Sequence, residues 1–310
     1  MILRRRAAVL NAHTSEKAEK PMASRTLALP DGSELAYRVA GEGPTVLLVH
    51  GWGASGLFFD ALAGHLAHDF HVIVPDLRGH GRSPVGETPA TIDLLAADLK
   101  HLLDALAIDR PLALGWSMGA MVLWRMIETY SADMLCGLIT EDMSPRIVND
   151  DDWVMGMATG LDAETSARAV TAMRENWPAY AQAFASKMFA RDRAKRDPAL
   201  VDATIERLTD GDADAMAQLW ASMARQDLRA ALPAMHLPVL VTYGERSQAY
   251  SVETSQYLAE TLPDARLQGF ARSGHSPHLE EPEAFADAVS CFAHRVTAAP
   301  AHQSIEGSIS

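Results

Sequence analysis

Short runs of almost unbroken apolar residues alternate along this chain with longer stretches in which apolar residues return every three or four positions. TVLLVHG (Thr45–Gly51), HVIVPD (His71–Asp76), PLALGWS (Pro111–Ser117), CGLITED (Cys136–Asp142) and PVLVTYG (Pro238–Gly244) are of the first kind. That is the pattern of strands covered on both faces, as in a parallel sheet. Thr91–Ala107 is of the second kind, with Leu94, Leu95, Leu99, Leu102 and Leu103 at helical spacing. Strands alternating with helices predict an α/β fold with a mostly parallel, doubly wound sheet. Two more polar runs, Arg25–Leu29 and Glu34–Val39, flank the turn signal PDG and predict an antiparallel hairpin at the sheet edge. ARLQGF (Ala265–Phe270) reads as the last strand.

The alternation stops after Asp142. From about Pro145 to Leu232 the pattern is helical only, interrupted by Pro178, Pro198 and Gly211. Met216, Leu219, Trp220 and Met223 share one helical face, and Tyr180, Phe184 and Met188 follow at four-residue steps. Such faces either pack on the main domain or look onto a substrate. The division expected is an N-terminal extension (1–24), a core built from 25–145 and 233–297, an inserted helical cap (146–232) and a C-terminal tail (298–310). Trp153, Trp177, Met188 and Trp220 are the cap residues expected to touch substrate.

A chain of 310 residues suits one core domain with an insertion. Hydrophobic residues at 48% and charged residues at 22% match an ordinary globular protein. The net charge of −13 argues against nucleic acid or an anionic membrane as partner. No apolar run approaches the roughly 20 residues that span a bilayer. The N-terminal apolar stretch AAVL is too short for the core of a signal peptide. Cys136 and Cys291, the only cysteines, are expected to be reduced core residues in a reducing, cytoplasmic compartment. His65, His68, Asp69 and His71 straddle a helix end and a strand start, so their side chains diverge and no metal site is expected.

GWSMG (Gly115–Gly119) lies between the run PLAL and a helix beginning at Met118. A serine on so sharp a strand-to-helix turn needs small flanking residues, and the turn lifts its hydroxyl to the helix N-terminus. Ser117 is therefore the candidate nucleophile. HGWG (His50–Gly53) follows the first parallel strand, where backbone N–H groups of Trp52 and Met118 could together hold an oxyanion. His50 is expected to brace that loop. In RSGHSPHLEEP, after the last strand, His275 is the candidate general base and His278 a structural residue.

HGWG, DLRGHGRS (Asp76–Ser83), GWSMG and SGHSPHLEEPEAF (Ser273–Phe285) together resemble the α/β-hydrolase superfamily over residues 25–296. Within it, HGWG with GWS-x-G is similar to the carboxylesterases that cleave pimeloyl-carrier-protein methyl ester. The resemblance implies that DLRGHGRS is architectural, so Asp76, Arg78 and His80 are not catalytic. It also exposes a departure. Most relatives carry the triad acid three residues after the glycine that ends PVLVTYG, and here that residue is Ser247. Some place it after the preceding strand instead, which makes Asp142 the preferred acid, with Glu245 and Glu141 as alternatives. The function expected is hydrolysis of small to medium, largely apolar carboxylic esters through an acyl-enzyme, with no cofactor. Lactonase, thioesterase, carbon–carbon hydrolase and perhydrolase chemistry share the same triad, and a ligand receptor retaining it is the alternative outside enzymology.

Overall fold

The computed structural model describes residues 22–298, so most of the expected N-terminal extension and all but the first residue of the C-terminal tail lie outside the described residues. Eight strands form one sheet: β1 (Ala23–Ala28), β2 (Glu34–Ala40), β3 (Thr45–Val49), β4 (His71–Pro75), β5 (Leu112–Trp116), β6 (Gly137–Glu141), β7 (Val239–Gly244) and β8 (Ala265–Phe270). Their spatial order is β1-β2-β4-β3-β5-β6-β7-β8, with β1 and β2 antiparallel and every pair from β4 to β8 parallel. Each apolar run became a strand one or two residues shorter than the run. The hairpin forms the edge as its polarity predicts, although β1 begins at Ala23 rather than Arg25.

The continuous apolar runs lie inside because helices cover the sheet. In β3, Val46, Leu47, Leu48 and Val49 are fully buried. Helix α1 is Asp60–Leu66 and α2 is Ile92–Ala105, whose N-cap Thr91 accepts the Leu94 N–H through its side chain. Helix α3 (Met118–Thr129) packs against α2.

Five helices lie between β6 and β7: α4 (Ala163–Glu175), α5 (Trp177–Ala185), α6 (Arg191–Arg196), α7 (Pro198–Thr209) and α8 (Ala213–Ala224). The prolines that interrupt the pattern are helix starts. Pro178 and Pro198 sit in first turns, where a missing N–H costs nothing, behind Asn176 and Asp197, which accept the N–H groups of Ala179 and Leu200. After β7 come α9 (Val252–Thr261), α10 (Pro277–Glu280) and α11 (Pro282–Thr297). Both cysteines are free thiols. Cys136 is half-buried and packs against the core, whereas the core placement of Cys291 is corrected: it is exposed on α11, whose opposite face buries Val289, Phe292 and Ala293. No described helix is long and apolar enough to cross a membrane.

Candidate active site

β5 ends at Trp116 and α3 begins at Met118, so Ser117 alone makes the turn between them. Its backbone lies at φ 52°, ψ −123°, a conformation that costs a residue with a side chain on the order of 1–3 kcal/mol. The surroundings hold it there. A Cβ on Gly115 would lie 2.4 Å from the Ala120 nitrogen, and one on Gly119 would lie 2.1 Å from the Val49 oxygen. The residues two positions before and two after the serine must therefore be glycine. The Ser117 N–H donates to the Glu141 carbonyl at 2.8 Å, tying the turn to the end of β6.

The HGWG loop runs directly beside this turn, since a Cβ on Gly51 would meet Ser117 Cβ at 3.1 Å. Two buried histidines brace the loop. His50 Nδ1–H donates to the Gly51 carbonyl at 2.8 Å, while its Nε2 accepts the Leu77 N–H at 2.9 Å. His80 Nε2 accepts the Gly53 N–H at 3.0 Å, and its Nδ1–H donates to the Arg78 carbonyl at 3.1 Å. Burial pushes both imidazoles below the usual histidine range, His80 to about 3, so both are neutral acceptors. The Trp52 ring leaves the loop for the inserted helices. Its Nε1–H donates to the Met216 carbonyl at 2.9 Å, and its ring meets Trp177, Phe184 and Trp220 edge-on with centroids 5.1–5.3 Å apart. Among the described residues, no acceptor meets the backbone N–H of Trp52 or of Met118.

His275 comes to the same edge of the sheet on the loop after β8. Its carbonyl accepts the Trp116 Nε1–H at 2.8 Å, which fastens that loop to the residue before Ser117. Its Nδ1 lies 2.6 Å from Asp142 Oδ2, and both side chains are almost fully buried. A carboxylate only accepts, so Nδ1 carries the proton and Nε2 is the free nitrogen. Asp142 follows β6 with its own backbone at φ 46°, and its N–H donates to the Thr242 carbonyl at 2.9 Å. Ser247, at the position where the resemblance puts the acid, donates its hydroxyl to the same Asp142 oxygen at 2.6 Å.

The other two acidic candidates do not meet His275. Glu245 is exposed. Glu141, the last residue of β6, spends its carboxylate on His278, where Oε1 accepts both the backbone N–H and the Nδ1–H, at 3.1 and 2.8 Å. His278 is thus the buried partner of a second carboxylate, edge-on to Trp116 and tilted against Phe59.

A cavity of about 290 Å³ opens against His275, walled by Leu161, Tyr180, Phe184, Met188 and Trp220, with Thr159, Lys187 and Gln248 also in its lining. Ser117, half-buried, is not part of that wall. Of the four cap residues expected at substrate, Met188 and Trp220 line this cavity. The other two are not in its lining. Trp153 turns away, donating Nε1–H to the Arg146 carbonyl and lying between Tyr257 and Arg229. Trp177 donates to the Leu208 carbonyl and packs against Trp52 behind the cavity. Tyr180 and Phe184 were visible only as a face of α5, while nothing in the periodicity marked Lys187 or Gln248.

The profile of the α/β-hydrolase fold family matches residues 44–282. A pimeloyl-acyl-carrier-protein methyl ester esterase of Vibrio vulnificus is 27% identical over 266 residues, covering 84% of this chain and 98% of that protein. The enzyme of that name from Chromobacterium violaceum is 28% identical over 258 residues, covering 82% and 96%. Among solved structures, a thermophilic esterase from Thermogutta terrifontis superposes with a TM-score of 0.78 at 28% identity, over 89% of this chain and 99% of that one. An esterase from Exiguobacterium antarcticum gives a TM-score of 0.81 at 21% identity, over 87% and 99%, a likeness of fold.

Proposed function

The chain belongs to the α/β-hydrolase fold family, and on that premise we propose that it is a serine esterase acting on small to medium, largely apolar carboxylic esters. The observation that carries the reading is the 2.6 Å contact of His275 Nδ1 with Asp142 Oδ2, beside the strained turn at Ser117. His275 Nε2 takes the proton from Ser117 Oγ as that oxygen attacks the ester carbonyl carbon. The backbone N–H groups of Trp52 and Met118 hold the resulting oxyanion. The carbon–oxygen bond to the alcohol then breaks, and the alcohol leaves with the proton from Nε2. Water, deprotonated by the same nitrogen, attacks the acyl-serine, releases the acid and restores the hydroxyl. Asp142 fixes the tautomer and stabilises the imidazolium.

Residues 146–232 act as the cap in this reading, and Leu161, Phe184, Met188 and Trp220 suit an apolar acyl or alkyl group. The relatives named for a methyl ester agree with a small alcohol on the leaving side. The acidic surface disfavours nucleic acid and anionic membrane as partners. The test is turnover of p-nitrophenyl butyrate with labelling by an organophosphonate. The wild type should turn over the ester and take up one phosphonate per chain. Ser117→Ala should stay unlabelled and lose roughly a thousandfold or more in kcat. Near-normal turnover in that variant removes Ser117 from the reaction, and ligand-dependent partner binding with negligible turnover would point to a receptor.

A further inference from the structure

We infer that Ser247 is a positioning residue of the proposed triad, holding the Asp142 carboxylate against His275 by a hydroxyl whose proton has no other direction to take. This rests on the esterase reading above. A serine hydroxyl has one proton and two acceptor sites. Both acceptor sites of Ser247 Oγ are occupied, by the backbone N–H of Ala249 at 3.1 Å and that of Tyr250 at 3.3 Å. The proton therefore points at Asp142 Oδ2, 2.6 Å away, in a short charge-assisted bond. The main chain of Ser247 is fixed too, its N–H closing a turn onto the Gly244 carbonyl at the end of β7.

Asp142 needs such a holder. Among the described residues its carboxylate has two hydrogen-bond partners, Ser247 and His275, and both engage Oδ2. It stands past the end of β6 in a left-handed conformation, where its N–H bond to Thr242 holds the main chain but not the carboxylate. With Ser247 in place, the carboxylate is anchored from β7 before it meets the histidine, and no alignment has to be made when His275 becomes charged. The Ser247 bond also withdraws negative charge from Oδ2, so the carboxylate stabilises imidazolium less than an unshared one would.

That second effect gives a test whose sign separates positioning from mere support. The ionisable groups around the triplet are Asp142 from β6, Tyr250 and Arg246 from the loop after β7, Lys187 from the segment after α5, and Glu280 of α10, which accepts the N–H of Gly274. Ser247→Ala removes a hydrogen bond of Asp142 and leaves the other four groups in place. Loss of the hydroxyl leaves the Asp142 charge concentrated on His275, which favours the imidazolium and moves the acid limb of the kcat/KM profile to higher pH. A substitution that only loosened the loop would separate Asp142 from His275 and move that limb the other way.

The experiment compares pH profiles of kcat/KM, kcat at the plateau and thermal midpoints for wild type, Ser247→Ala, Ser247→Thr and Asp142→Asn. Ser247→Ala should lose roughly fivefold to tenfold in plateau kcat, with its acid limb at higher pH and its thermal midpoint near that of wild type. Ser247→Thr, which keeps the hydroxyl, should retain the wild-type profile. A wild-type rate and profile in Ser247→Ala, an acid limb that stays or falls, or a Thr variant that behaves like Ala overturns the inference while a crippled Asp142→Asn leaves the triad standing. A fully active Asp142→Asn fells the triad assignment itself.

Discussion

Asp142 Oδ2 lies 2.6 Å from His275 Nδ1, although 133 residues separate the two and Asp142 follows β6 whereas His275 follows β8. Because β6 lies between β5 and β7, its carboxyl end is next to the serine turn and within reach of the loop after β8. The consequence is a graded set of variants. Asp142→Asn should keep its fold and lose up to about four orders of magnitude in kcat, since an amide cannot stabilise the imidazolium. Glu245→Gln, altering an exposed side chain, should stay within about tenfold of wild type. Circular dichroism and steady-state turnover distinguish them; a crippled Glu245→Gln beside an active Asp142→Asn reverses the assignment.

Steric limits around the serine set a second expectation. Gly119→Ala would drive a methyl group to 2.1 Å from the Val49 carbonyl, backbone that has no room to yield. That variant should fail to fold or lose several kcal/mol, on the order of 3 or more. Gly51→Ala meets Ser117 Cβ at 3.1 Å and the Trp116 ring at 3.3 Å, contacts that a shift of a few tenths of an ångström relieves. It should fold, with kcat lowered about tenfold or more because the shift falls on the serine turn and the oxyanion loop together. Equal thermal midpoints for the two variants would contradict this.

The parallel strands were legible because strands buried on both faces have no polar alternation to confuse them, and β3 and β5 are buried at nearly every position. The serine turn was legible because two glycines at fixed spacing have a steric reason. The walls of the cavity were less so. A helical face rich in Trp and Met looks the same whether it meets a core or a ligand, and Trp177 and Trp220 both meet Trp52 edge-on although only Trp220 lines the cavity. Trp153 belongs to no helix, so no periodicity fixes its direction. The Ser247–Asp142 bond joins residues 105 apart, and only the sheet order brings them together.

The cavity makes a claim about chain length. Phe184 is half-buried, lines the wall and packs edge-on against Trp52, so its ring closes one end of the apolar space. Across a p-nitrophenyl ester series, wild-type kcat/KM should rise up to the length the cavity holds, by about fourfold per methylene at roughly 0.8 kcal/mol each, and then fall. Phe184→Ala should move that maximum to longer acyl chains. An unchanged optimum would mean that the acyl group lies elsewhere.

The last expectation concerns acid and the brace under the HGWG loop. His80 is buried beside His50, with ring centroids 5.0 Å apart, and accepts the Gly53 N–H through Nε2. Burial holds its pKa down at about 3, against 6.5 for an ordinary histidine. Between those values the unfolded chain binds a proton that the folded protein refuses, so the unfolded state gains as pH falls. The contribution is fully present above about pH 6.5 and is lost as pH drops toward 3, reaching on the order of 2 kcal/mol by pH 5. His80→Gln removes the titration while leaving an amide oxygen able to accept from Gly53. Its stability in urea should therefore fall less steeply than that of wild type between pH 7 and pH 5, even if it is the less stable protein at pH 7. His50, also depressed by burial, remains in both proteins and contributes the slope they share. Parallel stability curves over that interval would show that His80 takes up its proton in the folded state, and that the Gly53 brace does not depend on its neutral form.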